Sequence, residues 1–305
     1  MLLFSIFVLL MERGLKKAYI ALAIVCIVWG TTYLAARISA LHIPGIFISG
    51  VRQFTGGLLF VSYFKSKGCP WPNRDSLLQI STQGILMLCI GNGLSTWAVQ
   101  YISSGLSAII AALIPLFIAL FSIIFLKTAK LSVQIFIGIL IGFCGIAVIF
   151  YSHLHQLLDS KFFFGISLSL TATVCWALGT IYASKNKVPV NILFSVGLQM
   201  LIAGSCMLLI CLLSGMYINL FQVDTKALVS LVYLIVFGSL ITYPAYVFAI
   251  SKLPATQVSI YAYINPVIAI TLGWLLLHEH VTVHVLLGMC ITLFGVYLVN
   301  KNFKK

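Results

Sequence analysis

Negative charge is what the chain has least of. Five Asp and Glu stand among 305 residues, and charged residues of both signs make up 8%. A soluble domain carries about 25% charged residues. A water-facing surface is therefore excluded for a chain of this length, and lipid must cover most of it. The acids are Glu12, Asp75, Asp159, Asp224 and Glu279, and none falls in the middle of an apolar run. That excludes the intramembrane carboxylate relay common in proton pumps. It also leaves no nucleophile–base pair or acidic cluster for an embedded enzyme, so no catalytic residue is expected. Metal-ligand spacing is missing too. The eight cysteines form no CxxC pair, and His278-Glu279-His280 is not HExxH. Neither metal nor cofactor is expected. All cysteines but Cys69 lie in apolar runs and read as small buried hydrophobes. Long loops are absent as well, which leaves no room for the soluble domain of a scaffold or receptor.

What is there is hydrophobic length. The chain is 62% hydrophobic and reads as ten apolar runs, at 18–36, 44–64, 77–99, 103–126, 133–151, 163–183, 190–213, 227–249, 254–277 and 283–299. A helix needs about 20 apolar residues to cross the hydrocarbon core, whereas strands run about 4–8 residues. The fold class expected is an all-α polytopic membrane protein of about ten spans. The first ten residues, MLLFSIFVLL, have no basic n-region and no cleavage site, so a cleaved signal peptide is not expected. Met11, just before a basic stretch, is the expected start; a short interfacial tail is the rival reading.

The formal net charge is +13. With the N-terminus in the cytoplasm, outside loops hold only Arg37, Lys161 and Lys226, and Arg52 alone lies within a span. Every other Lys and Arg falls on the inside. This positive-inside distribution predicts both termini inside and an even number of spans. It also accounts for the basic charge without a nucleic-acid partner.

The two halves resemble each other. Ala98 and Pro115 align with Ala249 and Pro266 at an offset of 151, and Gly138 and Gly145 align with Gly288 and Gly295 at 150. Gly30-Thr31-Thr32-Tyr33 resembles Gly179-Thr180-Ile181-Tyr182, with Trp29 and Trp176 just upstream. These matches divide the chain into 18–151 and 163–300, five spans each. Five is odd, so the halves enter the membrane from opposite sides. Inverted repeats of this kind characterise many secondary transporters, whose sites lie at matched helix breaks near the midplane. The expected breaks are Pro115 and Pro266, each roughly twelve residues into its span and each freeing a carbonyl, of Ala111 and Ala262. A second pair is Gly91-Asn92-Gly93 with Thr242-Tyr243-Pro244. Shaping of helix packing alone is the other reading of these prolines.

Polar groups inside spans usually face a bundle interior or water. The candidates for a substrate cavity are Trp29, Arg52, Asn92, Trp176, Gln199, Tyr243, Tyr246, Tyr261 and Asn265, with Tyr263 beside them. Packing competes with binding for each aromatic. Arg52 has no mid-span carboxylate to pair with; it captures a substrate carboxylate or bonds helix-end carbonyls. All six histidines fall in predicted outside segments.

The Trp-Gly pair at Trp29-Gly30, Arg52, Pro115, Pro266 and the stretch from Leu275 to Gly295 with Glu279, Thr282 and Gly288 together resemble the EamA group of the drug/metabolite transporter superfamily. The resemblance spans nearly the whole chain. It implies ten helices, a bacterial inner-membrane location, and export of amino acids or other metabolites through a central cavity. The chain departs from the pattern where Thr128-Ala129 stand opposite Glu279, which removes a paired role for that acid. Efflux of drug-like hydrophobic compounds is the alternative function. A small-molecule substrate and the bilayer are the expected partners, with monomer and homodimer both open.

Overall fold

A computed structural model of the protein describes residues 14–126, 133–151, 154–186, 188–253 and 255–303. The tail at 1–10, Met11, Glu12, Arg13, Lys127, Thr128, Ala129, Lys130, His153, Lys187, Lys304 and Lys305, all used above, lie outside the described residues. Among the described residues there is no strand. Among the described residues, and apart from short turns at Leu154–Leu157 and Leu220–Gln222, there are ten helical segments: α1 (Leu15–Ala40), α2 (Gly45–Ser66), α3 (Arg74–Ala98), α4 (Ser104–Ala111 and Ile114–Phe121), α5 (Val133–Tyr151), α6 (Ser160–Lys185), α7 (Ile192–Ser214), α8 (Thr225–Lys252), α9 (Ala255–Val258 and Tyr261–Leu277) and α10 (Val283–Phe303). Eight are long and apolar enough to cross a membrane. The other two are α2, which carries Arg52 and Gln53, and α9, whose main body is 17 residues.

Several helix starts are set by side-chain caps. Asn73 accepts from the Ser76 amide at 2.9 Å, Asp159 from Lys161 at 2.8 Å, Asn191 from Leu193 at 2.9 Å and Asp224 from Lys226 at 2.8 Å. Each satisfies an orphan donor of a first turn. The apolar runs consequently begin a few residues late, at 77 for α3 and at 163 for α6. At the far end of α7, Gly215 closes the helix in the left-handed region at φ 69°.

Packing repeats under exchange of the halves. Helix α1 packs on α8 and α9, while α6 packs on α3 and α4; α2 meets α7, and α5 meets α10. Every one of these pairings has its image in the other repeat, as a pseudo-two-fold axis requires. At the two self-paired contacts glycine lets backbones touch. A Cβ on Gly57 would stand 2.2 Å from the Leu201 nitrogen, and one on Gly145 would stand 2.6 Å from the Gly288 oxygen. The protein is thus an all-α polytopic membrane protein of two inverted five-helix repeats.

The matched breaks take different forms. Both α3 and α8 widen into π-helical turns, over Gly84–Asn92 and Leu234–Thr242. Pro244 does not interrupt α8; it stands directly after the π-helical stretch, at the beginning of the α-helical stretch Tyr243–Lys252. In α4 the chain turns at Ala112–Leu113, and Pro115 starts the next stretch in the same way. The break expected at Pro266 is not there. Pro266 lies inside Tyr261–Leu277, and α9 is interrupted upstream at Ser259–Ile260. Membrane helices tolerate an internal proline when neighbours re-satisfy the backbone. The neighbouring Asn265 amide, with its nitrogen turned to donate, ties α9 to α1 by bonding the carbonyls of Cys26 at 2.9 Å and Tyr261 at 3.2 Å; neither is the Ala262 carbonyl that Pro266 frees.

The cysteine expectation needs correcting. Cys26 and Cys211 are buried, but Cys144 on α5 and Cys290 on α10 are exposed on the protein surface. Apolar side chains there meet lipid, and a run apolar on every face cannot report which residues do.

Candidate functional site

A cavity lies between the repeats. Its walls come from six helices: α1 (Trp29, Thr32, Tyr33, Ala36), α2 (Arg52), α3 (Gly91, Asn92, Ser95, Thr96, with Val99 just past its end), α4 (Ala111, Ile114), α6 (Ala172, Thr173, Trp176) and α9 (Tyr261, Asn265). Six sequence candidates therefore converge: Trp29, Arg52, Asn92, Trp176, Tyr261 and Asn265. Gln199, Tyr243 and Tyr246 do not line the wall. Tyr263 points away from it, donating no contact to the cavity and accepting from Asn300 at 3.0 Å.

The rings of Trp29, Trp176 and Tyr261 form the floor, packed on the buried Tyr246 behind them. Trp29 meets Trp176 at 5.4 Å between centroids, Tyr246 at 5.0 Å and Tyr261 at 5.2 Å; Tyr246 also meets Trp176 at 5.6 Å and Tyr261 at 5.8 Å. Tilted and edge-on arrangements of this kind are the favourable ones. Below the floor, Tyr243 donates to Gln199, and Gln199 Nε2 donates to Gln83 at 2.9 Å and Ser195 at 3.3 Å. This second polar cluster is closed off: Gln199 and Tyr243 are each 2% exposed.

Arg52 is 4% exposed. Its Nε donates to the Ser239 hydroxyl at 3.0 Å, rather than to a helix-end carbonyl as one expectation had it. Ser239 stands in the π-helical stretch of α8, whose extra residue per turn shifts the hydroxyl toward α2. The neighbouring Gly238 leaves space for the guanidinium, since a Cβ there would stand 2.6 Å from Nη2. Asn92 is held on its acceptor side, where Oδ1 accepts from Ser49 at 2.8 Å and Gln53 at 3.2 Å. Its amide nitrogen is the group left for the cavity.

At the Glu279 face the repeats are clasped together. The Glu279 carboxylate accepts from the Ser104 amide at 2.9 Å, the Ser104 hydroxyl at 2.8 Å and the Gly105 amide at 3.4 Å. It thereby caps α4, where a negative charge is favoured by the helix dipole. The turn that delivers it holds His278 at φ 52°, a left-handed conformation that costs about 1–2 kcal/mol outside glycine. Nearby, Arg37 donates to the Val99 carbonyl, and Gln100 links the Gly45 amide at 3.1 Å to the Ala40 carbonyl at 3.3 Å.

The profile of the EamA-like transporter family matches residues 16–151 and 163–301. The chain belongs to that family. Relatives of this EamA-like transporter cover nearly its whole length. YedA of Escherichia coli K12, described as an uncharacterized inner membrane transporter, is 32% identical over 94% of this chain and 92% of its own. YvbV of Bacillus subtilis, described as an uncharacterized transporter, is 27% identical over 94% and 93%. PagO of Salmonella typhimurium is 26% identical over 90% of each chain. A solved crystal structure shares the fold over 95% of this chain and 99% of that one, with a TM-score of 0.67 at 17% identity. The protein is a multi-pass membrane transporter.

Several wall residues carried no signal in the sequence. Thr32, Ser95, Thr96 and Thr173 are small hydroxyls of the kind that bond back to their own helix, as Thr32 does to the Trp29 carbonyl at 2.8 Å and Thr173 to Ser169 at 2.8 Å. Ser239 is found only through its partner. A search for hydroxyls opposite the one in-span cation would have raised it.

Proposed function

We propose that the protein is a secondary transporter of small metabolites such as amino acids, acting as exporter or facilitator by alternating access around this cavity. The observation that carries the reading is a cavity walled by both repeats, with the rings of Trp29, Trp176 and Tyr261 on one part of its wall and Arg52, Asn92 and Thr96 on another. A carrier must expose its site to one side at a time, and inverted repeats supply the second state by exchanging roles. The ring-lined floor suits an apolar side chain, and Arg52, Asn92 and Thr96 suit a polar backbone-like end.

The loop cations and the description of YedA support a bacterial inner membrane with both termini cytoplasmic, which makes the Glu279 face periplasmic. Tags on the two ends reporting from opposite faces would overturn that orientation. Because no carboxylate lies in the middle of a span, flux is expected to persist when the proton gradient is collapsed; strict dependence on the gradient would contradict this part of the reading.

Counterflow in proteoliposomes tests the substrate. A panel of amino acids, nucleosides, sugars and lipophilic cations is expected to rank amino acids first. Lipophilic cations ranking first would replace this reading with drug-like efflux. Failure of every solute to exchange, with folded protein, would remove the carrier reading.

A further inference from the structure

Resting on the carrier reading, we propose that Arg52, with Asn92 beside it, forms a subsite for a monoanionic carboxylate, and that the cavity selects solutes carrying one carboxylate on an apolar body. The guanidinium is inside a span, where an uncompensated cation costs roughly 2.5–3.5 kcal/mol. Its bond is to a neutral hydroxyl, Ser239 Oγ, at 3.0 Å. The four acids within the described residues, Asp75, Asp159, Asp224 and Glu279, lie at helix ends, and Glu279 is committed to Ser104 and Gly105. The charge is therefore neutralised from the cavity that it lines.

The geometry favours a carboxylate over other anions. A guanidinium presents parallel N–H groups that match a carboxylate in bidentate fashion. With Nε fixed on Ser239, the remaining fork is oriented rather than free. Asn92 has its oxygen occupied by Ser49 and Gln53, so it meets a ligand as a donor, which suits an anion and not an ammonium group. One cation balances one negative charge. A dianionic phosphate ester would leave net charge in the membrane interior, and no second cation lines the wall. The ring floor formed by Trp29, Trp176 and Tyr261 receives the apolar remainder.

The purified full-length chain can be tested by thermal unfolding and ligand titration with phenylpropionate, its methyl ester, phenethylamine, L-phenylalanine and inorganic phosphate. The expected result is stabilisation by phenylpropionate and L-phenylalanine, and at least tenfold weaker binding of the ester, the amine and phosphate. Arg52→Gln should abolish the acid–ester difference, and Arg52→Lys should restore part of it. If Arg52→Gln does not fold, Ser239→Ala keeps the charge and loosens its aim. It should weaken the acid several-fold and leave the ester unchanged. Equal binding of acid and ester, equal binding of phosphate, or no binding by either carboxylate overturns the subsite. Counterflow separates the two claims. Exchange of neutral or cationic solutes without carboxylates keeps the carrier and removes the subsite, whereas carboxylate binding without flux keeps the subsite and removes the carrier.

Discussion

The α2–α3 pair of the first repeat and the α7–α8 pair of the second are built alike and hold opposite states. Ser49 bonds Asn92 in one, and at offsets of 150 and 151 Gln199 bonds Tyr243 in the other. Both pairs flank a π-helical stretch. Yet Asn92 lines the cavity while Gln199 and Tyr243 are buried away from it. Repeat symmetry fixes where the backbone widens and which helices touch. The side chains at those points decide which pair lines the cavity, small and polar in the first repeat, large and aromatic in the second.

The comparison can be broken most severely at the axis shared by both pairs. Gly57→Leu, or Gly204→Leu on the facing helix, drives a side chain into backbone, because even a Cβ would stand 2.2 Å from Leu201 N or Phe54 N. Overpacking costs about 1–3 kcal/mol where side chains can move. Here the atoms met are backbone, so no folded protein is expected, read as loss of the monodisperse peak after detergent extraction. A more selective break is Gly238→Ala, whose methyl would displace the Arg52 guanidinium. It should lower amino acid counterflow at least tenfold while the protein remains folded and monodisperse.

Stability separates the two polar pairs. Tyr243→Phe strands the buried Gln199 oxygen, at an expected cost of about 1–3 kcal/mol, read as a lower thermal midpoint. Asn92→Ala leaves Ser49 and Gln53 beside a cavity that admits water, so its cost should be smaller, about 0.5–1.5 kcal/mol. Equal losses would mean that the first pair is as dry as the second. The smallest effect is expected at Glu279→Gln, which keeps a capping oxygen for Ser104 but removes the charge at the α4 dipole. A loss of about 0.3–1 kcal/mol is expected, and it should shrink as salt is raised.

Much of this was legible from the chain. Gly138, Gly145, Gly288 and Gly295 were visible as a repeat, and they meet across α5 and α10 because only glycine admits backbones so close. Trp29, Arg52, Asn92, Trp176, Tyr261 and Asn265 were visible because polar and aromatic groups are conspicuous in an apolar span. Pro266 misled, since a missing N–H identifies a donor lost and not whether neighbours make up for it. Tyr243, Tyr246 and Gln199 misled for a related reason: composition cannot distinguish a polar group facing a cavity from one satisfied by another polar group.

The sequence by itself determined a membrane protein of two inverted repeats. Apolar length, the scarcity of carboxylates and the offset of the repeats are all written along the chain, and lipid leaves a helix few alternatives. Tertiary structure alone decided that Ser239 holds Arg52, that Glu279 caps α4, and that one of two equivalent polar pairs lines the cavity while the other is buried away from it. Those outcomes depend on residues brought together from helices distant in sequence, and packing at the shared axis, not local pattern, sets which of them meet.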